Sequence, residues 1–127
     1  LTAGRDLEVH VTDDMKHKTI TVDDVPGAVI DDTFDDAIKF IDDAQKAETG
    51  CLVHCFAGMS RSATVTIAYL MKMRGMRLDE AYVATKKGRP AIYPNTGFFK
   101  QLIDYDKKLY PDGRPIDMES MERHIVP

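Results

Sequence analysis

At 127 residues, 43% of them hydrophobic, the chain has material for one compact core and little for a second. A formal net charge of −4 argues against a surface built to neutralise nucleic-acid backbones or to lie on anionic lipid, so neither partner is expected. No apolar run approaches the roughly 20 residues of a membrane span and no basic-then-apolar segment opens the chain, so an intracellular setting, cytoplasmic or nuclear, is expected.

In chain order, Leu7 to Val11 and Thr19 to Val22 are short β-branched or alternating stretches that predict two strands. Thr33 is placed to cap a helix in which Phe34, Ala37, Ile38, Ile41 and Ala44 recur at helical spacing, with Asp35 and Asp36 at its positive end. Cys51 to His54 is a compact apolar run that predicts a third strand. Within such a strand Cys51 and Cys55 would lie roughly 13 Å apart, too far for a disulfide, and unpaired thiols suit a reducing compartment. Arg61 to Arg74 predicts a helix with so little polar surface that it belongs in the middle of the domain. Gly75 ends it, a further helix runs from about Leu78 to Lys87, and Gly88, Pro90 and Pro94 mark a loop. Asn95 then caps a last helix reaching Leu109. The segment 111–127 holds three prolines and a glycine without a sustained period, and is expected to wrap the surface or to be loosely ordered.

Strands alternating with helices predict an α/β fold, a central and largely parallel sheet flanked by helices, in one domain over 1–110 with 111–127 as a C-terminal tail. Ligands in such folds sit beyond the carboxyl ends of strands, where a helix begins. At that point the chain reads His54-Cys55-Phe56-Ala57-Gly58-Met59-Ser60-Arg61-Ser62. A short loop of small residues can converge its backbone N–H groups on one anion, and the helix start adds its own unpaired donors. The same donors stabilise a thiolate at the loop's start and can bring a cysteine pKa from about 8.5 into the roughly 3.5 to 7.5 range. Arg61 falls where loop becomes helix, and its planar fork matches two phosphoryl oxygens at once. A cation at a helix N-terminus is otherwise unfavourable, so Arg61 calls for such a reason. Ser62 places a hydroxyl near the sulfur, and His54 is better placed to orient the loop than to carry protons.

His54, Cys55, five residues and Arg61 resemble the signature of the protein tyrosine phosphatase superfamily. Ser60-Arg61-Ser62-Ala63-Thr64, Ala68-Tyr69-Leu70-Met71, Arg89-Pro90 and Pro94-Asn95-Thr96-Gly97-Phe98 with Gln101-Leu102 are similar to its dual-specificity branch. The resemblance runs from about Leu1 to Tyr110 and implies that this span is the catalytic domain, beginning within a strand and lacking the family's N-terminal elements. It implies Cys55 as nucleophile and Arg61 with the loop Phe56, Ala57, Gly58, Met59 and Ser60 as the phosphate site. Ser62 would assist thiolate departure, and Asn95 would support the catalytic loop. The family places its general acid about thirty residues before the cysteine, after a strand. Asp24, 31 positions upstream, fits better than Asp23, which is expected at the strand end. No metal or other cofactor is needed. The implied activity is hydrolysis of phosphotyrosine and phosphoserine or phosphothreonine through a phosphocysteine, on a phosphorylated protein such as a protein kinase. The resemblance assigns no oligomeric state.

Plainer readings stand beside these. Cys51 reads as a core thiol, the aspartates from Asp31 to Asp43 as a solvated helix face, and His10, His17 and His124 as surface residues without metal spacing. A phosphoinositide or other non-protein phosphatase is the alternative within enzymes; superfamily members acting on polyanionic headgroups tend to carry loop lysines, and there are none here. A low-molecular-weight phosphatase or arsenate reductase would reverse the order of acid and cysteine. A phosphoprotein-binding module would ordinarily lack Cys55, Arg61 or the acid.

Overall fold

The computed structural model describes residues 1–3, 18–47, 53, 55 and 60–125. Two short parallel strands, β1 (Thr2–Ala3) and β2 (Thr19–Ile20), pair with Thr2 opposite Thr19 and Ala3 opposite Ile20. The helices are α1 (Phe34–Lys46), α2 (Arg61–Met73), α3 (Leu78–Gly88), α4 (Thr96–Leu109) and α5 (Met118–Ile125). The expected strand at Leu7 to Val11 and most of the one at Cys51 to His54 lie outside the described residues, and β2 stops at Ile20 rather than Val22.

Helix α2 is central for the reason its composition suggests. Val65, Ile67, Ala68 and Met71 are entirely or almost entirely removed from solvent, and the helix packs on α1, α3, α4 and β1. Aromatic rings join the layers: Phe34 of α1 meets Tyr105 of α4 edge-on at 4.9 Å, and Tyr82 of α3 lies 5.6 Å from Phe99 of α4. Burial of such rings contributes well beyond their area when they meet edge-on or tilted. Gly75 takes a φ of 67° immediately beyond α2, a left-handed turn that a side chain would strain. Asp35 and Asp36 open α1 and Lys46 closes it, while Asp79 and Glu80 open α3 and Lys86 and Lys87 close it, each set complementing the helix dipole.

Two local expectations are corrected. Thr33 does not cap α1 through its side chain; its hydroxyl donates instead to the Ile30 carbonyl at 2.5 Å, closing a 3₁₀ turn over Asp31–Thr33 that precedes the helix. The tail is not a loose strap, because it carries α5, whose Met121 is fully buried, and Ile116 joins the core just before it. Met118, Met121 and Ile125 lie on one face, and Asp117 and Ser120 cap the start reciprocally: Ser120 N–H donates to Asp117 Oδ1 at 2.8 Å and Asp117 N–H to Ser120 Oγ at 2.9 Å. That Asp-x-x-Ser pattern is the signal in the sequence that marks α5.

Candidate active site

Helix α2 begins at Ser60, whose buried carbonyl accepts from Thr64 N–H at 2.9 Å and from the Thr64 hydroxyl at 2.7 Å. This fixes the point where the loop after Cys55 enters the helix. Ser62, also buried, brings its Oγ to 3.2 Å from Cys55 Sγ. Cys55 itself is half-buried. A hydroxyl at that distance can donate to a thiolate and stabilise it, both at rest and as a leaving group.

Arg61 reaches back across the fold, where its Nη1 donates to the Val22 carbonyl at 3.2 Å. Val22 is buried and directly precedes Asp23 and Asp24, so the guanidinium is anchored at the root of the segment that carries both carboxylates. Arg61 Nε is buried and has no hydrogen-bond partner among the described residues. A buried guanidinium donor without an acceptor is costly unless a ligand supplies one, and a phosphoryl oxygen is the acceptor that a guanidinium fork matches best.

Asp24 is exposed and lies beyond β2 together with Asp23. Its Oδ1 accepts from Asn95 Nδ2 at 2.9 Å. Asn95 makes two further bonds: its Oδ1 caps α4 by accepting from Phe98 N–H at 2.9 Å, and its own N–H donates to Ser60 Oγ at 3.0 Å. One residue therefore ties the helix cap, the segment bearing Asp24 and the end of the cysteine loop. His54, Phe56, Ala57, Gly58 and Met59 lie outside the described residues, as does Cys51.

Two residues absent from the sequence-derived site also touch the Asp24 segment. Gln101 bonds to Ala28, Ile30 and Asp31, and Gly97 lies against the Pro26 carbonyl. Periodicity offers no hint of either role, because on α4 they read as an ordinary polar position and a helix-start glycine. Among the described residues there is no group of three or more histidine, cysteine, aspartate or glutamate side chains able to hold a metal, and no helix is long and apolar enough to cross a membrane.

A profile of the dual specificity phosphatase catalytic domain matches residues 3–108. Dual specificity protein phosphatase 1 of Arabidopsis thaliana is 40% identical over 109 residues, 86% of this chain and 55% of that protein. Dual specificity protein phosphatase 14 of Mus musculus is 44% identical over 115 residues, 82% of this chain and 58% of that protein. The chain thus spans little more than half the length of these curated relatives. Among solved structures, human DUSP28 superposes with a TM-score of 0.82 at 31% identity, covering 85% of this chain and 73% of that one. PTPMT1 in complex with PI(5)P, at 21% identity and a TM-score of 0.76 over 87% of this chain and 76% of that one, shares the fold alone. The match over 3–108 and the shared α/β fold show that the chain belongs to the family of dual specificity phosphatase catalytic domains within the protein tyrosine phosphatase superfamily.

Proposed function

We propose that the chain is a protein phosphatase that hydrolyses phosphotyrosine and phosphoserine or phosphothreonine through a phosphocysteine intermediate. The observation that carries this reading is the 3.2 Å contact of Cys55 Sγ with Ser62 Oγ, together with the neighbouring Arg61, whose buried Nε has no acceptor among the described residues. Cys55 thiolate attacks phosphorus in line, and the bond from phosphorus to the substrate oxygen breaks. Arg61 holds the equatorial oxygens with the amides of the loop Phe56 to Ser60, while His54 orients that loop. Asp24 gives its proton to the departing oxygen. Because Asn95 occupies Oδ1 of Asp24, the transferable proton belongs on Oδ2. Water then attacks the phosphocysteine, Asp24 takes its proton, and the thiolate leaves with a hydrogen bond from Ser62 as inorganic phosphate forms. None of these steps calls for a metal.

A phosphorylated protein kinase is a fitting substrate class. MAP kinase phosphatase with leucine-rich repeats protein 1 of Dictyostelium discoideum is 46% identical over 94 residues, 74% of this chain and 11% of that protein. The absence of lysine from Phe56 to Ser60 favours a singly phosphorylated side chain over a polyanionic headgroup.

The test is aryl phosphate hydrolysis by wild type and Cys55→Ser, with oxyanion binding followed by calorimetry. Cys55→Ser is expected to lose turnover and keep phosphate binding, and undiminished turnover would overturn the mechanism. Phosphopeptide and phosphoinositide panels separate the two phosphatase readings, and wild-type binding without turnover would make the chain a phosphoprotein-binding module.

A further inference from the structure

The segment from Asp23 to Gly27 is exposed, so burial does not hold it, yet it carries the proposed general acid. Much of what reaches it and the residues just after it comes from one side of α4. Gln101 Oε1 accepts from Ile30 N–H at 2.8 Å and from Asp31 N–H at 3.0 Å, while its Nε2 donates to the Ala28 carbonyl at 2.8 Å and to Gly97 O at 3.3 Å. Two donors facing one end of the amide and two carbonyls facing the other leave a single consistent orientation of the side chain. Ala28 N–H also closes a Pro-Gly turn on the Val25 carbonyl at 3.0 Å, and Ile30 sits fully buried at the far end. Gly97 completes the seat, since a Cβ there would drive into the Pro26 carbonyl oxygen. The loop therefore rests on bare backbone at Gly97, is bound through its own backbone by Gln101, and has its carboxylate tethered by Asn95.

We infer that Gln101 and Gly97 are positioning residues that hold the Asp24 loop against α4, so that the acid is set before substrate arrives rather than carried in by a closing lid. The inference rests on Asp24 being the general acid. It assigns Gln101 a specific kinetic signature, because a misplaced acid matters only when the leaving oxygen needs a proton. Loss of the clamp should slow esters of weakly acidic alcohols and phenols and spare esters whose leaving groups depart unprotonated.

The experiment compares phenyl phosphate with a dinitrophenyl phosphate for wild type, Gln101→Leu, Gln101→Glu, Gly97→Ala, Asp24→Asn and the Asp24→Asn/Gln101→Leu double variant. Thermal melts check that each variant is folded. Gln101→Leu and Gly97→Ala are expected to lose about 10- to 100-fold in kcat on phenyl phosphate, the scale on which misplacement by an ångström acts, with the dinitrophenyl ester changed far less. Gln101→Glu keeps both acceptors for Ile30 and Asp31 and is expected to fall between wild type and Gln101→Leu. In the Asp24→Asn background Gln101→Leu should add nothing further on phenyl phosphate. Equal losses on both esters, or losses that add to those of Asp24→Asn, would overturn the clamp while leaving the phosphatase reading intact. A normal Asp24→Asn rate on phenyl phosphate would instead remove the acid assignment, and the clamp with it.

Discussion

The proposed chemistry rests on four side chains, Cys55, Ser62, Arg61 and Asp24, whose partners differ in kind. Ser62 is seven positions from Cys55, so their contact follows from a loop turning directly into α2. Arg61 and Asp24 need partners from elsewhere in the chain, Val22 in one case and Asn95 in the other. Arg61→Lys keeps the charge but removes the planar fork and the buried Nε donor. It is expected to lower kcat on aryl phosphates by about 100-fold or more and to weaken oxyanion binding, as read from steady-state rates and tungstate competition. Asp24→Asn is expected to cost about 100-fold in kcat on a poor leaving group such as phenyl phosphate, as read from steady-state rates. Should Asp24→Asn leave that rate unchanged, Asp23→Asn becomes the variant to measure. The spacing of Cys55, Arg61 and Ser62 was legible because it is local. The tether from Asn95 to Asp24 was not, since 71 positions separate the two and a helix-cap asparagine looks the same whether or not its amide reaches a distant carboxylate.

At the scale of elements, the junction of α3, α4 and the tail rests on Asp106. Its carboxylate is almost fully buried and accepts from Arg77 Nη2 at 2.7 Å, Arg77 Nε at 3.0 Å and Leu78 N–H at 3.0 Å, so one group pairs a charge and caps α3. The hydrogen bond it donates to Asp106 holds the Arg77 guanidinium above its ordinary pKa, against the pull of burial, and Arg77 also donates to the Arg114 carbonyl at 2.5 Å. Asp106→Ala would leave a half-buried guanidinium without its carboxylate and the Leu78 N–H at the start of α3 without its acceptor, and is expected to cost about 3 kcal/mol in denaturant unfolding. Met121→Ala in α5 is expected to cost about 2 kcal/mol or more by opening a cavity in the core, whereas a loosely draped tail would feel no such loss. Helix α5 escaped the periodicity reading because it has only two turns and is flanked by Pro115 and Pro127, while α1, α2, α3 and α4 were legible because their apolar positions persist over three turns or more.

Over the whole molecule, burial sets how the core responds to alkali. Burial, aided by Asp35 and Tyr110, pushes the Tyr105 hydroxyl up to about 12 from its ordinary 10.0, and it has no hydrogen-bond partner among the described residues. A raised folded-state pKa means the folded protein keeps this proton where the unfolded chain gives it up. The associated stability is therefore whole below about pH 10 and is lost as the pH climbs toward 12. Tyr105→Phe is expected to be neutral or stabilising by up to about 1 kcal/mol near pH 7, where it removes a buried hydroxyl with no partner. It should also show a smaller drop in urea midpoint between about pH 9 and 11 than wild type; an identical drop would place the alkaline sensitivity elsewhere.

The order of α1 to α4, the central place of α2 and the nearness of Cys55 to Ser62 could be read from the chain alone, because each depends on interactions within a few turns of it. Packing fixed which distant groups meet: Arg61 with Val22, Asn95 with Asp24, Gln101 with the backbone of Ala28, Ile30 and Asp31, and Arg77 with Asp106. Local propensity and periodicity record which face of an element is buried. The contacts that tie Asp24 and Ser60 to Asn95 come instead from packing α4 against the segment after β2, a geometry no single stretch of chain encodes.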